Sequence, residues 1–122
     1  VIAPAVGNNW NLGVRAFVDT NFNNAYDAGE TIIKQTDVLP NYFSVSQNSV
    51  NPAIEYTVFN ASGYARTMTA PYNSTFIVQR NDLPAADRWE KSRRIKVSVT
   101  GRVRSCKPTS NADTNCRAGA AD

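Results

Sequence analysis

Cationic side chains near the C-terminus form the largest group with obvious chemical potential. Residues 88–122 contain nine Lys and Arg residues and three Asp and Glu residues, which gives a net charge of +6. Residues 1–87 contain four Lys and Arg residues and seven Asp and Glu residues, which gives a net charge of −3. Clustered Lys and Arg bind nucleic-acid phosphates without reading the base sequence. We therefore expect an anionic partner at the C-terminal end, and a solvated basic surface without a partner is the alternative.

A second group is rich in side-chain oxygens. Positions 1, 3, 5, 9 and 12 of one segment carry the spacing of a calcium-binding loop, and they are occupied by Asp19, Asn21, Asn23, Asp27 and Glu30. Asn24 stands at the sixth position, where Gly is usual, and Asn tolerates a left-handed backbone. The flanks predict strands, so the segment is not an EF-hand. A turn in which Asx side chains bond their own backbone explains the same residues.

The composition excludes several classes of enzyme. The 122 residues include no His, which removes Ser-His-Asp and Cys-His catalysis and imidazole-ligated metals. No Gly-rich phosphate loop is present. The ten carboxylates are scattered, with no pair spaced for a shared cleft. We expect a protein that is not an enzyme and has no cofactor, with calcium as the one candidate metal ion.

Two cysteines, Cys106 and Cys116, flank a polar segment that has little apolar content to order it. We predict a disulfide, which contributes about 2.5–3 kcal/mol for so short a loop in the chain-entropy treatment. A disulfide indicates a periplasmic or extracellular compartment, and two free thiols are the alternative. No apolar run is long enough to span a bilayer and no signal peptide is present, which favours a trimmed exported protein.

These groups need a scaffold, and the apolar pattern has mostly a period of two. It predicts one mainly β domain over residues 1–122, an antiparallel two-sheet or meander head, with a disulfide-closed tail at 106–116. A turn or two of helix is expected within 84–93. The predicted strands are 12–19, 30–39, 42–47, 54–60, 75–79, 94–100 and 103–106. The predicted core is Phe17, Ile32, Val38, Val45, Ile54, Tyr56, Val58, Phe76, Val78, Ile95, Val97, Val99 and Val103.

Alternation in the last two strands predicts which cations face outward. An odd hairpin loop of residues 100–102 sets Val99 opposite Val103 and keeps both on the apolar face. A two-residue loop would turn arginines toward the core at a high cost. The predicted exposed basic surface therefore comprises Arg94, Lys96, Arg102, Arg104, Lys107 and Arg117, with Gly101 in the turn.

Three segments resemble the GspH/FimT-type minor pilins and pseudopilins. Trp10-x-x-Gly13-Val14-x-x-Phe17-x-Asp19 is similar to their W-x-x-G-W-x-x-F-x-D opening, with Val14 in place of the second Trp. Residues 58–63 resemble a strand ending in F-N-x-x-G, and residues 94–104 resemble a hairpin with G-R-x-R. The resemblance covers residues 10–106 in the family's order.

The resemblance implies a structural subunit of a type IV pilus that primes the fibre or lies at its tip and assembles with other pilins. The family begins with a cleaved leader and an apolar helix, so we expect this chain to be the head alone, with the sheet face that the helix covers partly exposed. The full-length form would be anchored in the inner membrane before it reaches the pilus at the cell surface.

In family members tied to natural transformation, G-R-x-R is associated with binding double-stranded DNA. This role carries over to Gly101, Arg102 and Arg104. The alternatives are a minor pseudopilin of a type II secretion system and a secreted calcium- or sugar-binding β-domain.

Overall fold

The computed structural model describes residues 1–49, 56–66 and 73–117. Two short 3₁₀ helices lie in these ranges, at Trp10–Leu12 and Arg88–Lys91, and no helix there is long and apolar enough to cross a membrane. The mainly β, antiparallel fold is confirmed. The strands are β1 (Ile2–Pro4), β2 (Val14–Phe17), β3 (Ile32–Gln35), β4 (Phe43–Ser49), β5 (Val58–Phe59), β6 (Ala65–Arg66), β7 (Ser74–Arg80), β8 (Arg93–Val97) and β9 (Val103–Cys106).

The strands form two larger sheets and a small hairpin that joins them. The sheets have the orders β1-β2-β3 and β4-β7-β8-β9, and β5 pairs with β6. Ile2 and Thr57 exchange two backbone hydrogen bonds of 2.8 Å, which tie β1 to the residue before β5. The N–H of Ala65 in β6 donates to the carbonyl of Val99, just beyond β8, at 3.0 Å. The β5–β6 hairpin therefore connects the two sheets through the backbone.

Several predicted strands are shorter in the structure. The segment predicted at 30–39 contributes only the four residues of β3, and the segment predicted at 94–100 ends as β8 at Val97. The predicted strand 54–60 begins outside the described residues. β1 and β6 were not predicted as strands, because two or three residues are too few to show an alternating pattern. The helical segment expected within 84–93 is the second 3₁₀ helix.

The last hairpin has the predicted parity but a different register. Val97, rather than Val99, lies opposite Val103, and the Ser98 N–H donates to the carbonyl of Arg102 at 3.0 Å. The two strands are thus offset by two residues from the prediction. An offset of two keeps every side chain on its predicted face, because side chains alternate with a period of two.

The buried apolar side chains of the described ranges are few: Trp10, Phe17, Ala65, Val97, Pro108 and Cys116. The Trp10 ring meets the edge of Phe76 at a centroid distance of 4.9 Å. Seven of the thirteen predicted core residues are only half-buried, namely Val45, Tyr56, Val58, Phe76, Val78, Ile95 and Val99.

Three core predictions are wrong. Ile32, Val38 and Val103 are exposed, because β3 and β9 lie at the edges of their sheets and Val38 lies in the loop after β3. Ile54 lies outside the described residues. Alternation identified the apolar face of these segments, but it does not indicate whether another layer covers that face.

Gly101 marks the closest approach between the two motif-bearing turns. A Cβ built at Gly101 would lie 1.7 Å from the carbonyl oxygen of Gly63, and the Gly101 φ is +79°. Both the backbone conformation and the available space therefore require glycine at this position. The F-N-x-x-G and G-R-x-R segments are in contact because one glycine backbone packs on the other.

We expect Gly101→Ala to lower the free energy of unfolding by about 2–4 kcal/mol, since the clash and the left-handed φ act together. Urea denaturation measures this loss. Gly63→Ala is the matched control, because Gly63 has a φ of +83° but open space around its Cβ direction. Equal losses in the two variants would contradict the close backbone contact.

Candidate functional site

The predicted basic residues of β8 and β9 do share one face of the sheet. Lys96 lies directly opposite Arg104, and Arg94 lies opposite Cys106. Side chains opposite each other in an antiparallel pair point to the same side of the sheet. The structure therefore brings together Arg94, Lys96 and Arg104, and places Cys106 beside them.

The predicted exposure of this face is wrong for two of its cations. Arg94 is 5% exposed and Lys96 is 2% exposed. The Arg94 guanidinium donates through Nη1 to the carbonyl of Cys116, and Arg104 Nη2 donates to the carbonyl of Asn115 at 3.3 Å. The C-terminal segment folds back onto the basic face, which alternation along a strand does not predict.

The tail that returns to this face is closed by the predicted disulfide. Cys106 and Cys116 are bonded, with their Cα atoms 5.9 Å apart. Asp113 organises the loop between them, because its carboxylate accepts hydrogen bonds from the N–H groups of Thr109, Cys116 and Asn115 and from the Thr109 hydroxyl, all at 2.8–2.9 Å. The N–H groups of Thr109 and Cys116 contribute most to lowering the pKa of Asp113 far below its usual range.

The other predicted cations remain accessible. Arg102, Lys107 and Arg117 are exposed, and Arg104 is half-buried. Arg102 lies at the end of the hairpin loop, next to the close contact of Gly101 with Gly63. The accessible basic surface therefore consists of Arg102 at the hairpin end and of Lys107 and Arg117 at the two ends of the tail.

The oxygen-rich segment forms a compact turn whose side chains bind its own backbone. Asp19 accepts from the N–H groups of Asn23 and Asn24 at 3.2 and 2.8 Å. Asn21 and Asn23 both donate to the same Asp27 oxygen at 2.7 Å. Asn24 has a φ of +62°, the left-handed conformation expected at the sixth position.

Glu30 closes this turn from its far end. The N–H groups of Asp27 and Thr20 donate to the Glu30 carboxylate at 3.1 and 2.7 Å and lower its pKa. Within residues 1–49, 56–66 and 73–117, no group of three or more His, Cys, Asp or Glu side chains is arranged to hold a metal ion. Calcium binding at this segment stays a prediction.

A groove beside the same turn was not predicted from the sequence. It has a volume of about 830 Å³. Phe17 is the buried residue of its lining, and Val18, Ile33 and Phe22 are exposed at 46%, 68% and 80%. The consecutive apolar pair Ile32 and Ile33 was a usable signal, because neighbouring residues of a strand point to opposite faces. Val58 and Phe59 of β5 line the groove as well.

The family of this chain follows from the similarity of its sequence to known proteins. The sequence profile of the type II transport protein GspH family matches residues 2–101. No significant match is found among curated proteins or among solved structures. The chain belongs to the GspH family, as the resemblance implied, and it has the role of a minor pilin or pseudopilin in type II secretion or in pili. This is a family of structural subunits rather than of enzymes.

Low pH should loosen the loop between Cys106 and Cys116, because the Asp113 carboxylate accepts its hydrogen bonds most strongly while it is ionised. Its pKa is lowered in the folded state, so the stabilisation is complete above the ordinary aspartate pKa of about 3.9 and is lost as the pH falls toward the lowered value. The protection factors of the Thr109 and Cys116 amides, which are exchange rates corrected for the intrinsic pH dependence of exchange, should fall over that acidic range. Asp113→Asn should have lower protection factors at neutral pH, and these should not fall further in acid. A variant that keeps the wild-type acid dependence would contradict the role of Asp113.

Proposed function

We propose that the protein is a minor pilin of a type IV pilus, at the priming or tip position, whose head contributes the apolar groove to subunit contacts. The groove is the observation that carries the proposal. Soluble monomers rarely leave a contiguous apolar patch of this kind uncovered, and such patches mark interaction sites. A minor pseudopilin of a type II secretion system is the alternative within the family.

The lining of the groove supports packing against a helix. It is formed by Val58 and Phe59 of β5, by Ile33 of β3 and by Val18 after β2, together with buried Phe17. Exposed Val18 and Ile33 supply the apolar ridge that a helix needs in order to bury its own apolar stripe. In this proposal the subunit is anchored in the inner membrane first, and its head is periplasmic and then part of the surface fibre.

Ile33→Asp should abolish assembly without unfolding the head. Ile33 is 68% exposed, so its replacement should change the free energy of unfolding by no more than about 0.5 kcal/mol. A charge in an apolar contact should prevent packing, because it would be buried without a partner. The full-length gene, returned to a deletion strain, should then restore neither surface fibres nor secretion.

Lys34→Asp is the matched control for this assay. Lys34 is exposed on the same strand, but it points to the opposite face from Ile33. This variant should assemble like the wild type. Normal fibres from the Ile33 variant, or equal loss in both variants, would contradict a role for the groove.

Non-specific binding of double-stranded DNA for natural transformation is the second candidate function. It is favoured by the exposure of Arg102 at the hairpin end and of Lys107 and Arg117 beyond the opposite end of β9. Arg suits this purpose because its guanidinium can hold two phosphate oxygens at once. The burial of Arg94 and Lys96 leaves this surface with fewer accessible cations than the sequence predicted.

Arg102→Ala should weaken the binding of a labelled duplex several-fold and reduce the slope of log K against log salt by about 1. Fluorescence anisotropy at several salt concentrations measures both effects. Arg80→Ala is the matched control, because Arg80 is engaged by Asp82. If Arg102→Ala binds like the control, the hairpin end is a solvated surface only.

A further inference from the structure

A second cavity is distinct from the groove, because the described residues of the two linings have only Phe17 and Asn24 in common. It has a volume of about 340 Å³ and is bordered by β1, by the turn after β2 and by Tyr56. Binding pockets for small molecules begin at about 300 Å³, so this cavity has the size for a ligand of one sugar ring. The polar side chains of its lining are those of Asn8, Arg15, Asn24, Tyr26 and Tyr56.

Arg15 is the charged residue of the described lining, and its guanidinium is held on two sides. Its Cζ lies 4.1 Å from the centroid of the Tyr26 ring, so one face of the guanidinium rests on that ring. Tyr26 is itself packed edge to face against buried Phe17, with the centroids 5.6 Å apart. Arg15 Nε donates to Oε1 of Gln35 at 2.8 Å, and Gln35 lies directly opposite Arg15 on β3. The fold therefore sets both the plane and one edge of the guanidinium.

The outer end of this guanidinium is open. Nη1 and Nη2 of Arg15 have no hydrogen-bond or ion-pair partner in residues 1–49, 56–66 and 73–117. With Nε already bonded, the two Nη groups form the end-on fork that binds both oxygens of one carboxylate. Since the side chain is already ordered by Tyr26 and Gln35, a ligand pays less entropy here than at a freely rotating surface arginine.

The acidic residues of the neighbouring turn do not line this cavity. The carboxylates of Asp19 and Glu30 accept from backbone N–H groups of the turn. Asp27 accepts from the side chains of Asn21 and Asn23. A ligand in the cavity would therefore meet one cation and no anion in the described lining. A single positive charge balances a carboxylate, whereas a phosphate carries about −1.5 to −2 at neutral pH.

We propose that this cavity binds a hexuronic acid unit, with Arg15 as the carboxylate-binding residue and Gln35 as the residue that positions it. The hydroxylated ring of such a ligand suits the rest of the lining. Asn8 and the Tyr56 hydroxyl can both donate and accept hydrogen bonds, and the Tyr56 ring offers an apolar surface. The site is separate from the groove, so it does not depend on the subunit contact proposed above.

Amide NMR spectra of the isotope-labelled chain, titrated with glucuronate, measure this binding. The shifts should concentrate on the cavity lining, at Ala3, Ala5 and Tyr26. Glucose lacks the carboxylate and acetate lacks the ring, so each should bind about tenfold more weakly than glucuronate or less. Glucose 1-phosphate, which carries the larger anionic charge on the same ring, should also bind more weakly.

Two variants test the roles of the side chains. Arg15→Lys keeps the charge but removes the fork, and should raise the Kd for glucuronate about tenfold. Gln35→Ala leaves the net charge unchanged but frees Nε of Arg15, and should raise the Kd several-fold because the guanidinium is no longer ordered.

Lys34→Gln is the matched control, because Lys34 is an exposed cation of the same strand whose side chain points to the other face from Gln35. This variant should bind glucuronate like the wild type. Circular dichroism of each variant checks that the sheets remain folded.

The outcomes decide each part of the proposal. Glucuronate shifts that lie outside the cavity lining, or glucose that binds as tightly as glucuronate, overturn the carboxylate site. Equal binding of glucose 1-phosphate overturns the choice of a carboxylate over a phosphate. A folded Arg15→Lys variant with the wild-type Kd overturns the fork, and a folded Gln35→Ala variant with the wild-type Kd overturns the positioning role of Gln35. If Arg15→Lys does not fold, the ligand series still tests the site, because it uses the wild-type chain.

Discussion

The backbone contact between Gly101 and Gly63 is the constraint on which the rest of the arrangement depends. It allows the β5–β6 hairpin to approach the end of β8 closely enough for Ala65 to hydrogen-bond Val99. The same hairpin is joined to β1 through Thr57, so the two larger sheets are positioned relative to one another by this small element. The G-R-x-R segment therefore has a structural role, because Gly101 holds the β5–β6 hairpin against the end of β8. This contact also sets the position of Arg102.

The four-stranded sheet buries charged side chains on one face and apolar side chains on the other. Arg94 on the cationic face is covered by the carbonyl of Cys116, Val97 is buried on the opposite face, and the groove beside β3 is lined by exposed Val18, Phe22 and Ile33. In the proposed assembly, neighbouring subunits cover the exposed apolar residues of the groove.

Local patterns predicted the properties that depend on chain parity and covalent chemistry. The bounds of β9, the common face of Lys96 and Arg104, and the Cys106–Cys116 bond all follow from spacing within a few residues. The burial of Arg94 does not, because it depends on a segment that returns from more than twenty residues away. The hairpin register also differs, since Gly63 constrains the turn from another part of the chain and the two registers share one alternation.

The placement of β1 bears on how the head resists a mechanical load. Val1 donates through its amino group to the carbonyl of Phe17, and β1 is hydrogen-bonded to β2 on one side and to Thr57 on the other. A pull along β1 would load these bonds together, in shear, instead of opening them one after another. Tension entering at this end would be distributed across two sheets before any single strand could detach.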